Sequence, residues 1–328
     1  MVMFWVAILA ISILLYVLLD GFDLGIGILF GLTRSEERRH AMLSAVAPIW
    51  DGNETWLVVA GVVLWGAFPV VYATLFSAFY LPLLLMLAGL ILRGVAFEYR
   101  YKSERMRWIW DAGFAGGSLV AAFTQGMTVG ALVEELPISN GQYTSGEFGW
   151  FSPFALLCGA GLCLGYSLLG ACWLVRKCEG DVREEAYRVI PYLAIGVLAF
   201  LVVVFGYALA QNLRVMHRWL ERPYLFVFPA IGFVAAVLAS ASVRRRQDGV
   251  PFYMVAIIFV AAFGTLAISF WPYMIPFSIT IEQAASPHST LAFMFWGAGL
   301  FVFPLMLVYT VIMYSVFKGK VRPTARHY

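Results

Sequence analysis

The chain has 328 residues, of which 62% are hydrophobic and only 12% are charged, and its mean hydropathy is +0.84. A soluble globular domain carries about 25% charged residues, so the composition excludes an ordinary soluble enzyme and predicts an all-α polytopic membrane protein. The net charge of +3 gives no support for a nucleic-acid-binding surface, because membrane proteins collect Lys and Arg in the loops on one side of the bilayer.

Nine apolar segments follow one another along the chain, and each is long enough to cross a bilayer as a helix of about 20 residues. They lack the alternation of a strand, and only helices or closed barrels satisfy the backbone in lipid, so we predict nine transmembrane helices. The segments cover residues 3–31, 53–75, 77–99, 113–133, 154–175, 187–211, 224–243, 250–273 and 291–316. No repeat or long polar linker divides them, so we expect a single integral membrane domain over residues 1–328.

The basic residues are distributed very unevenly between alternate loops. With the N-terminus outside, 18 Lys and Arg residues fall in the inner loops and the C-terminal tail, which includes Arg322 and Arg326. Only Arg214, Arg218 and Arg222 fall in the outer loops. By the positive-inside rule, this asymmetry predicts an N-terminus outside and a cytoplasmic C-terminus. The first segment has no basic leader, so we expect it to remain in the mature protein as a span.

Three short motifs place charged residues inside or beside the first three spans. They are LLDGFDLGIG, PIWDGNETW and LRGVAFEYR. With the N-terminus outside, all their charges lie toward the cytoplasmic ends of the spans, so five carboxylates approach one arginine. The charged residues are Asp20, Asp23, Asp51, Glu54, Arg93 and Glu98. The glycines of the first motif, Gly21, Gly25 and Gly27, predict close contact with another helix.

Arg93 needs a partner, because an unpaired guanidinium inside a span is too costly. Asp20 and Asp23 share one helix face and are the first candidates; Glu54 is the next. An ion pair of this kind explains one or two carboxylates, and the others must be protonated, hydrated or paired with another subunit.

Two interpretations of Asp51 remain open. Asp51, Asn53 or Thr55 could cap the second helix, since all three have side chains that suit an N-cap. Alternatively, Asp51 is the first member of a proton relay, because acids inside membrane spans are what proton relays use.

The chain shows no complete redox centre of its own. Its histidines, His40, His217, His288 and His327, all fall in predicted loops or the tail, so no histidine inside a span is available as an axial haem ligand. The four cysteines match no zinc or iron–sulfur spacing and are interpreted as packing residues. Trp50 lies near a span end, where an interfacial anchor is the usual role, and a quinone contact is the alternative.

The three motifs, together with WPYMIP and the closing YTVIMYSVFKGKV, occur in an order and spacing that resemble subunit II of cytochrome bd-type quinol oxidases. The likeness extends over nearly the whole chain, and the DGFDLG and WDGN blocks are its most specific parts. The chain departs from the family pattern at three positions. Gly94 stands where proline is usual, Ala96 where glycine is usual, and Phe277 where serine is frequent.

The resemblance implies a terminal oxidase of the bacterial inner membrane that oxidises quinol and reduces dioxygen to water. It implies two haems b and one haem d, all ligated by the partner, subunit I, and none by this chain. Subunit II would have two four-helix bundles and a peripheral ninth helix, with a periplasmic N-terminus. It would form a pseudosymmetric heterodimer with subunit I, with small single-span subunits and a bound quinone as further expected components.

The resemblance also implies a role for Asp51, which matches the aspartate of the family's WDGN block on a proton path to the oxygen-reducing haem. We therefore expect Asp51 to face subunit I, and Glu54, Asp20 and Asp23 to serve as further path members or as partners of Arg93. A stand-alone proton-coupled transporter or proton channel is the rival function. It should show internal repeats and helices broken near the midplane, and the sequence shows neither. A purely structural scaffold for subunit I is the third hypothesis.

Overall fold

A computed structural model describes residues 1–103, 105–139 and 142–321, so Arg322, Arg326 and His327 lie outside the described residues. The described chain is mostly helical. The helices are α1 (Val2–Leu32), α2 (Glu36–Ser44), α3 (Trp50–Ala67), α4 (Pro69–Ala78), α5 (Tyr80–Arg100), α6 (Arg107–Val133), α7 (Pro153–Lys177), α8 (Gly180–Ala210), α9 (Arg214–Glu221), α10 (Val227–Arg244), α11 (Val250–Phe270), α12 (Ile281–Ala284), α13 (His288–Met294) and α14 (Val302–Val316).

Two short antiparallel strand pairs connect helices. The first joins β1 (Ile138–Ser139) to β2 (Gln142–Tyr143), and the second joins β3 (Tyr273–Ile275) to β4 (Ile279–Thr280). A π-helical segment, Phe295–Gly299, makes α13 and α14 one continuous span.

Eight helices of the described chain are long and apolar enough to cross a membrane, and a ninth span results if the bent pair α3–α4 is counted as one. The prediction of a polytopic helical membrane protein is confirmed. Eight of the nine predicted segments correspond to these helices, with ends that differ by up to seven residues. The seventh span begins with a 3-10 turn at Pro223, which leads into α10. The ninth span begins with α13.

The second predicted segment, 53–75, is wrong in its extent. Its helix α3 ends at Ala67, and α4 leaves it at an angle of 119°. Pro69 has no backbone N–H and forces the preceding Phe68 out of the helical region, to φ −136° and ψ 58°. Pro69 itself then begins α4 at a position where proline is favourable. With 18 residues, α3 is about 27 Å long and nearly spans a hydrocarbon core of about 30 Å.

Helices α2 and α9, like the single turn α12, lie in segments that the sequence analysis treated as loops. In α2 the hydroxyl of Ser35 accepts a hydrogen bond from the Arg38 backbone N–H, and two glutamates occupy the first turn. These are favourable features of a helix N-terminus. Helix α9 buries Val215 and Trp219 and leaves Arg214 exposed. Both helices are short, with nine and eight residues, so they gave no span-length apolar signal.

Helix α7 is the most enclosed of the spans, and α1 packs closely against it. A Cβ on Gly25 would overlap the carbonyl oxygen of Tyr166, and a Cβ on Gly170 would lie 2.7 Å from the backbone nitrogen of Ile26. Glycine on both helices therefore lets the two backbones touch. Gly21 lies against the Tyr166 ring and Gly27 against the Ser118 hydroxyl, so the predicted close contact of this motif is confirmed.

The other spans pack around this pair. Helix α1 also contacts α3 and α6; α5 packs on α6, α6 on α7, α7 on α8, and α10 on α11, which in turn contacts α7. Helices α8 and α10 and the α13–α14 span bury only a small part of their surfaces within this chain. Their large exposed apolar side chains require lipid or a partner subunit as their surroundings.

Gly25→Ala tests the α1–α7 contact. The added methyl group collides with rigid backbone of α7, so the helices must separate, and overpacking of this kind costs about 1–3 kcal/mol or more. We expect a lower melting temperature of the detergent-purified protein in its native complex. Gly206→Ala is the matched control, because a Cβ there meets nothing within 4 Å. Equal melting temperatures for the two variants would contradict the packing described.

Candidate functional site

Arg93 lies at the centre of a buried polar cluster formed by α1, α3 and α5. Its side chain is 0% exposed. Its Nη2 donates a hydrogen bond to Asp20 Oδ1 at 2.7 Å and another to Glu54 Oε1. A guanidinium is always charged and presents a rigid fork of donors, so two carboxylates from two neighbouring helices can share it. The ion pair ties α1 and α3 to α5.

Asp23 lies one turn after Asp20 on α1 and is also buried, but the structure does not pair it with Arg93. Its Oδ2 accepts a hydrogen bond from Asn53 Nδ2 at 2.7 Å, and the same amide nitrogen donates to the Leu19 carbonyl oxygen at 3.2 Å. The amide oxygen of Asn53 accepts from the Tyr314 hydroxyl at 2.9 Å. The second aspartate is therefore tied to α3 and, through Asn53, to α14.

Four polar atoms of this cluster have no hydrogen-bond partner among the described residues. They are Asp20 Oδ2, Asp23 Oδ1, Arg93 Nε and Arg93 Nη1. Leaving such groups unsatisfied costs about 1–3 kcal/mol each, and buried polar groups that lack a protein partner usually bind ordered water. The cluster is therefore suited to water molecules that bridge its carboxylates.

A second line of polar groups leads from the cluster into α6 and α7. Tyr16 lies one turn before Asp20 on α1 and interacts with its carboxyl group. The Tyr16 hydroxyl accepts a hydrogen bond from Gln125 Nε2 at 2.8 Å, and Gln125 Oε1 accepts from the Tyr166 hydroxyl at 2.9 Å. The sequence analysis did not identify this line. Gln125 was the available signal, since an amide inside an apolar span needs partners.

Asp51 and Glu54 lie near the start of α3 and differ in their surroundings. The Asp51 side chain is exposed on the surface of this chain. Glu54 is 25% exposed while it binds the fully buried Arg93. Glu54 therefore connects the surface of the protein near Asp51 to the buried cluster.

The hypothesis that a side chain caps α3 is wrong. The N-cap position is Ile49, and no side chain hydrogen-bonds to the free N–H groups of this helix end. The Asn53 amide is used by Asp23, and the Thr55 hydroxyl donates to the Asp51 carbonyl oxygen at 3.0 Å. Asp51 occupies the first turn, where a negative charge is favourable near the helix N-terminus.

Glu98 does not belong to the cluster, in contrast to the expectation that five carboxylates converge. It is exposed, and its Oε2 lies 3.4 Å from Lys102 Nζ. Five residues separate it from Arg93, and at 3.6 residues per turn this places the two side chains on different faces of α5. The structure brings together Asp20, Asp23, Glu54 and Arg93, with Asp51 beside them at the surface.

Trp50 is half-buried and stacks on Phe97, with ring centroids 5.1 Å apart and an interplanar angle of 7°. A Cβ on Gly94 would lie 3.4 Å from the Trp50 ring, so glycine at this position leaves room for the indole against α5. A quinone contact for Trp50 stays a prediction.

Neither a metal site nor a disulfide is found in the described part of the chain. His40 is in α2, His217 is in α9, and His288 begins α13. The four cysteines are free; three lie on α7 and Cys178 follows it. Burial raises the pKa of the Cys178 thiol to about 12, so it stays protonated and unreactive, as a packing residue should.

The fold and the cluster define a helical multi-pass membrane protein with a buried network of charges that approaches the surface at one helix end. The family model for cytochrome bd terminal oxidase subunit II matches residues 1–317. The chain therefore belongs to the cytochrome bd terminal oxidase subunit II family.

Relatives and a solved structure agree with this assignment. The chain is 32% identical to a probable cytochrome oxidase subunit 2 of Haemophilus influenzae, over 96% of this chain and 94% of the relative. It is 31% identical to the cytochrome bd-I ubiquinol oxidase subunit 2 of Escherichia coli, over 97% and 94% of the two chains. The structure resembles a chain of the bd oxidase from Geobacillus thermodenitrificans with a TM-score of 0.74 at 16% identity, covering 96% of each chain.

Arg93→Met tests the ion pair. The change leaves Asp20 and Glu54 without their shared cation, and breaking a buried pair costs about 3–5 kcal/mol. We expect a large loss of thermal stability, measured on the detergent-purified complex. The double variant Arg93→Met with Asp20→Asn should recover part of it, because one unpaired carboxylate is removed.

The control is Lys102→Met, which breaks the exposed pair with Glu98 and should cost less than about 1 kcal/mol. If Arg93→Met is no more damaging than this control, the guanidinium does not hold the three helices together.

Proposed function

We propose that this chain acts as subunit II of a quinol oxidase of the bacterial inner membrane, which reduces dioxygen to water. Its family membership supports this, as do the relatives named as ubiquinol oxidase subunits. The two haems b and the haem d belong to the larger partner, subunit I. His40 and His217 lie in the short helices α2 and α9, which are not candidate spans, and His288 is the first residue of the ninth span; these positions agree with haem ligation by the partner.

We also propose a single membrane domain of two four-helix bundles with a peripheral ninth span. The first bundle comprises α1, α3, α5 and α6, and the second comprises α7, α8, α10 and α11; the α13–α14 span is the ninth. Its support is the packing of these helices on one another and the similarity of the whole chain to a bd oxidase subunit. The exposed apolar faces of the peripheral span and of α3 are available to subunit I.

The proposed orientation places the N-terminus in the periplasm. Polar contacts support it, because they connect segments that the charge rule assigns to the cytoplasmic side. Asp111 at the start of α6 binds Arg39 of α2 and Arg100 at the end of α5. Asp248, before α11, binds Arg183 of α8 and Lys320 of the C-terminal segment. These basic segments therefore share one end of the molecule.

Cysteine labelling of spheroplasts tests the orientation. A membrane-impermeant maleimide should label Thr144→Cys, which is exposed in the loop before α7, and should not label Glu37→Cys in α2 until the membrane is opened. The four native cysteines are buried or half-buried, and the unsubstituted protein measures their background. If only Glu37→Cys were labelled in closed spheroplasts, the orientation would be the opposite of the one proposed.

The cluster is proposed to form part of the path by which cytoplasmic protons reach the site of oxygen reduction. The observation that carries this is the sequence of contacts inward from the surface: Asp51 is exposed, Glu54 is partly exposed and binds Arg93, and Arg93 binds the buried Asp20. A proton that reaches Glu54 is close to Asp20, because both carboxyl groups bind the same Arg93 guanidinium. Water bound to the unsatisfied oxygens of Asp20 and Asp23 would complete the connection.

The charges of the cluster suit a relay. Three carboxyl groups, those of Asp20, Asp23 and Glu54, surround one permanently charged guanidinium, so two negative charges are left over when all are ionised. A proton bound to any of the three carboxyl groups reduces the excess negative charge. The cluster can therefore take up a proton at one carboxyl group and release it from another. Asp51, near the cluster but in contact with the outside, would supply these protons from water.

Asp51→Asn in the intact oxidase tests the path. The amide keeps the size of the side chain and its hydrogen bonding but cannot carry a proton. We expect a complex with its full haem spectrum and a loss of quinol-dependent oxygen consumption of about 100-fold or more, because positioned proton-transfer groups contribute about 10²–10⁴-fold. Glu98→Gln is the control, because it neutralises an exposed acid outside the cluster.

The other outcomes separate the remaining hypotheses. Unchanged oxygen consumption in Asp51→Asn would remove Asp51 from the path. Loss of the haem d spectrum would show that Asp51 serves assembly with subunit I, as the scaffold hypothesis requires. The stand-alone transporter or channel gains no support from the fold, since the bend between α3 and α4 follows a nearly complete span.

A further inference from the structure

A cavity lies beside the ends of α7 and α14 and the start of α11. It has a volume of about 210 Å³, which is room for roughly seven water molecules at about 30 Å³ each. Its lining comes from the last turns of α7 and α14, the first turn of α11 and the middle of α1. The lining residues are Leu19, Trp173, Arg176, Lys177, Phe252, Tyr253, Tyr314 and Lys318.

The charged lining residues are all cations. Arg176 and Lys177 are the last two residues of α7, and Lys318 follows α14. Lys177 is buried, and its ammonium group donates to the carbonyl oxygens of Phe317 and Gly319, which fixes the position of its charge. No carboxylate of the described residues lines the cavity, so three positive charges face one small space.

Arg176 contacts aromatic rings. Its guanidinium carbon lies 4.7 Å from the ring centroid of Tyr253, 5.7 Å from that of Trp173 and 5.8 Å from that of Phe252. No salt bridge to it is found among the described residues. Aromatic faces on one side hold the guanidinium plane in place, and its donors remain available to an anion.

Two acids in the segments that adjoin the cavity are already paired. Asp248 precedes α11, and its carboxylate accepts hydrogen bonds from Arg183, Tyr187 and Lys320. Its partial burial raises its pKa, but these hydrogen bonds outweigh burial and hold the pKa at about 2. Glu179 lies 3.8 Å from Lys320. Lys320 therefore pairs with both of these carboxylates, and neither of them lines the cavity.

We propose that this cavity binds a phosphate group, supplied by the head group of an anionic phospholipid. The position suits a lipid, because the ends of α7 and α14 and the start of α11 lie at the level of the membrane surface, where basic pockets between helices bind lipid head groups. Arg176 and Lys318 bind the phosphate oxygens, Lys177 adds a fixed charge, and the exposed Tyr253 ring contacts the glycerol. The ligand fastens α7, α11 and α14 to one another.

The test uses the intact oxidase purified in detergent and freed of loosely held lipid. Phosphatidylglycerol is titrated into it, and bound lipid is counted by native mass spectrometry. We expect Arg176→Gln to weaken binding of one lipid molecule by roughly fivefold, the factor that corresponds to about 1 kcal/mol per basic residue near a membrane surface. Lys318→Gln, an exposed residue beyond the helix end, should act in the same direction and remain folded.

Arg245→Gln is the matched control, because it removes the same charge from an exposed position at the end of α10 that does not line the cavity. It should bind lipid as the unsubstituted protein does. Inorganic phosphate in place of the lipid distinguishes the two sources. If it binds as tightly as the lipid and with the same dependence on Arg176, the site takes free phosphate.

Equal lipid binding by the unsubstituted protein, Arg176→Gln and Lys318→Gln would overturn the proposal. So would an equal loss in all three variants, since the effect would then come from net charge alone.

Discussion

The sharing of one buried guanidinium between two helices is the constraint on which the rest of this structure depends. Arg93 of α5 is enclosed completely, and it is tolerated there only because Asp20 of α1 and Glu54 of α3 both reach its Nη2. The three helices therefore have a fixed register and depth relative to one another. Asn53 extends the same constraint, because its amide joins Asp23 of α1 to Tyr314 of α14.

The glycine contact between α1 and α7 makes this arrangement possible. Where Gly25 meets the backbone of Tyr166, α1 lies deep in the protein, and Asp20 and Asp23 on the same stretch of helix are buried with it. The DGFDLGIG motif thus performs two tasks with adjacent residues: its glycines bring α1 against α7, and its aspartates point toward α3 and α5. Polar function and close packing are coupled in a single helix segment, and a change to either kind of residue should disturb both.

Much of this could be predicted from the sequence, for identifiable reasons. Long apolar segments reveal spans because lipid requires them, and a lone arginine inside a span must have acidic partners, which is why Asp20 and Glu54 were among its candidates.

The break at Phe68 was missed because apolar residues continue through it, although Pro69 was the available sign. Glu98 was misplaced because a similar depth in the membrane was taken to mean that it shares a helix face with Arg93. Tyr16, Gln125, Tyr166 and Tyr314 were missed because their partners lie on other helices, and a single sequence does not show which faces of distant helices meet.

A cryo-electron microscopy structure of the assembled oxidase, at a resolution that shows ordered water, tests the central claim most directly. The proposed proton path predicts that Asp51 is covered by subunit I, and that water connects its carboxylate to Glu54 and to the free oxygens of Asp20 and Asp23. An Asp51 side chain directed into lipid, or a dry apolar barrier between it and Glu54, would contradict the account.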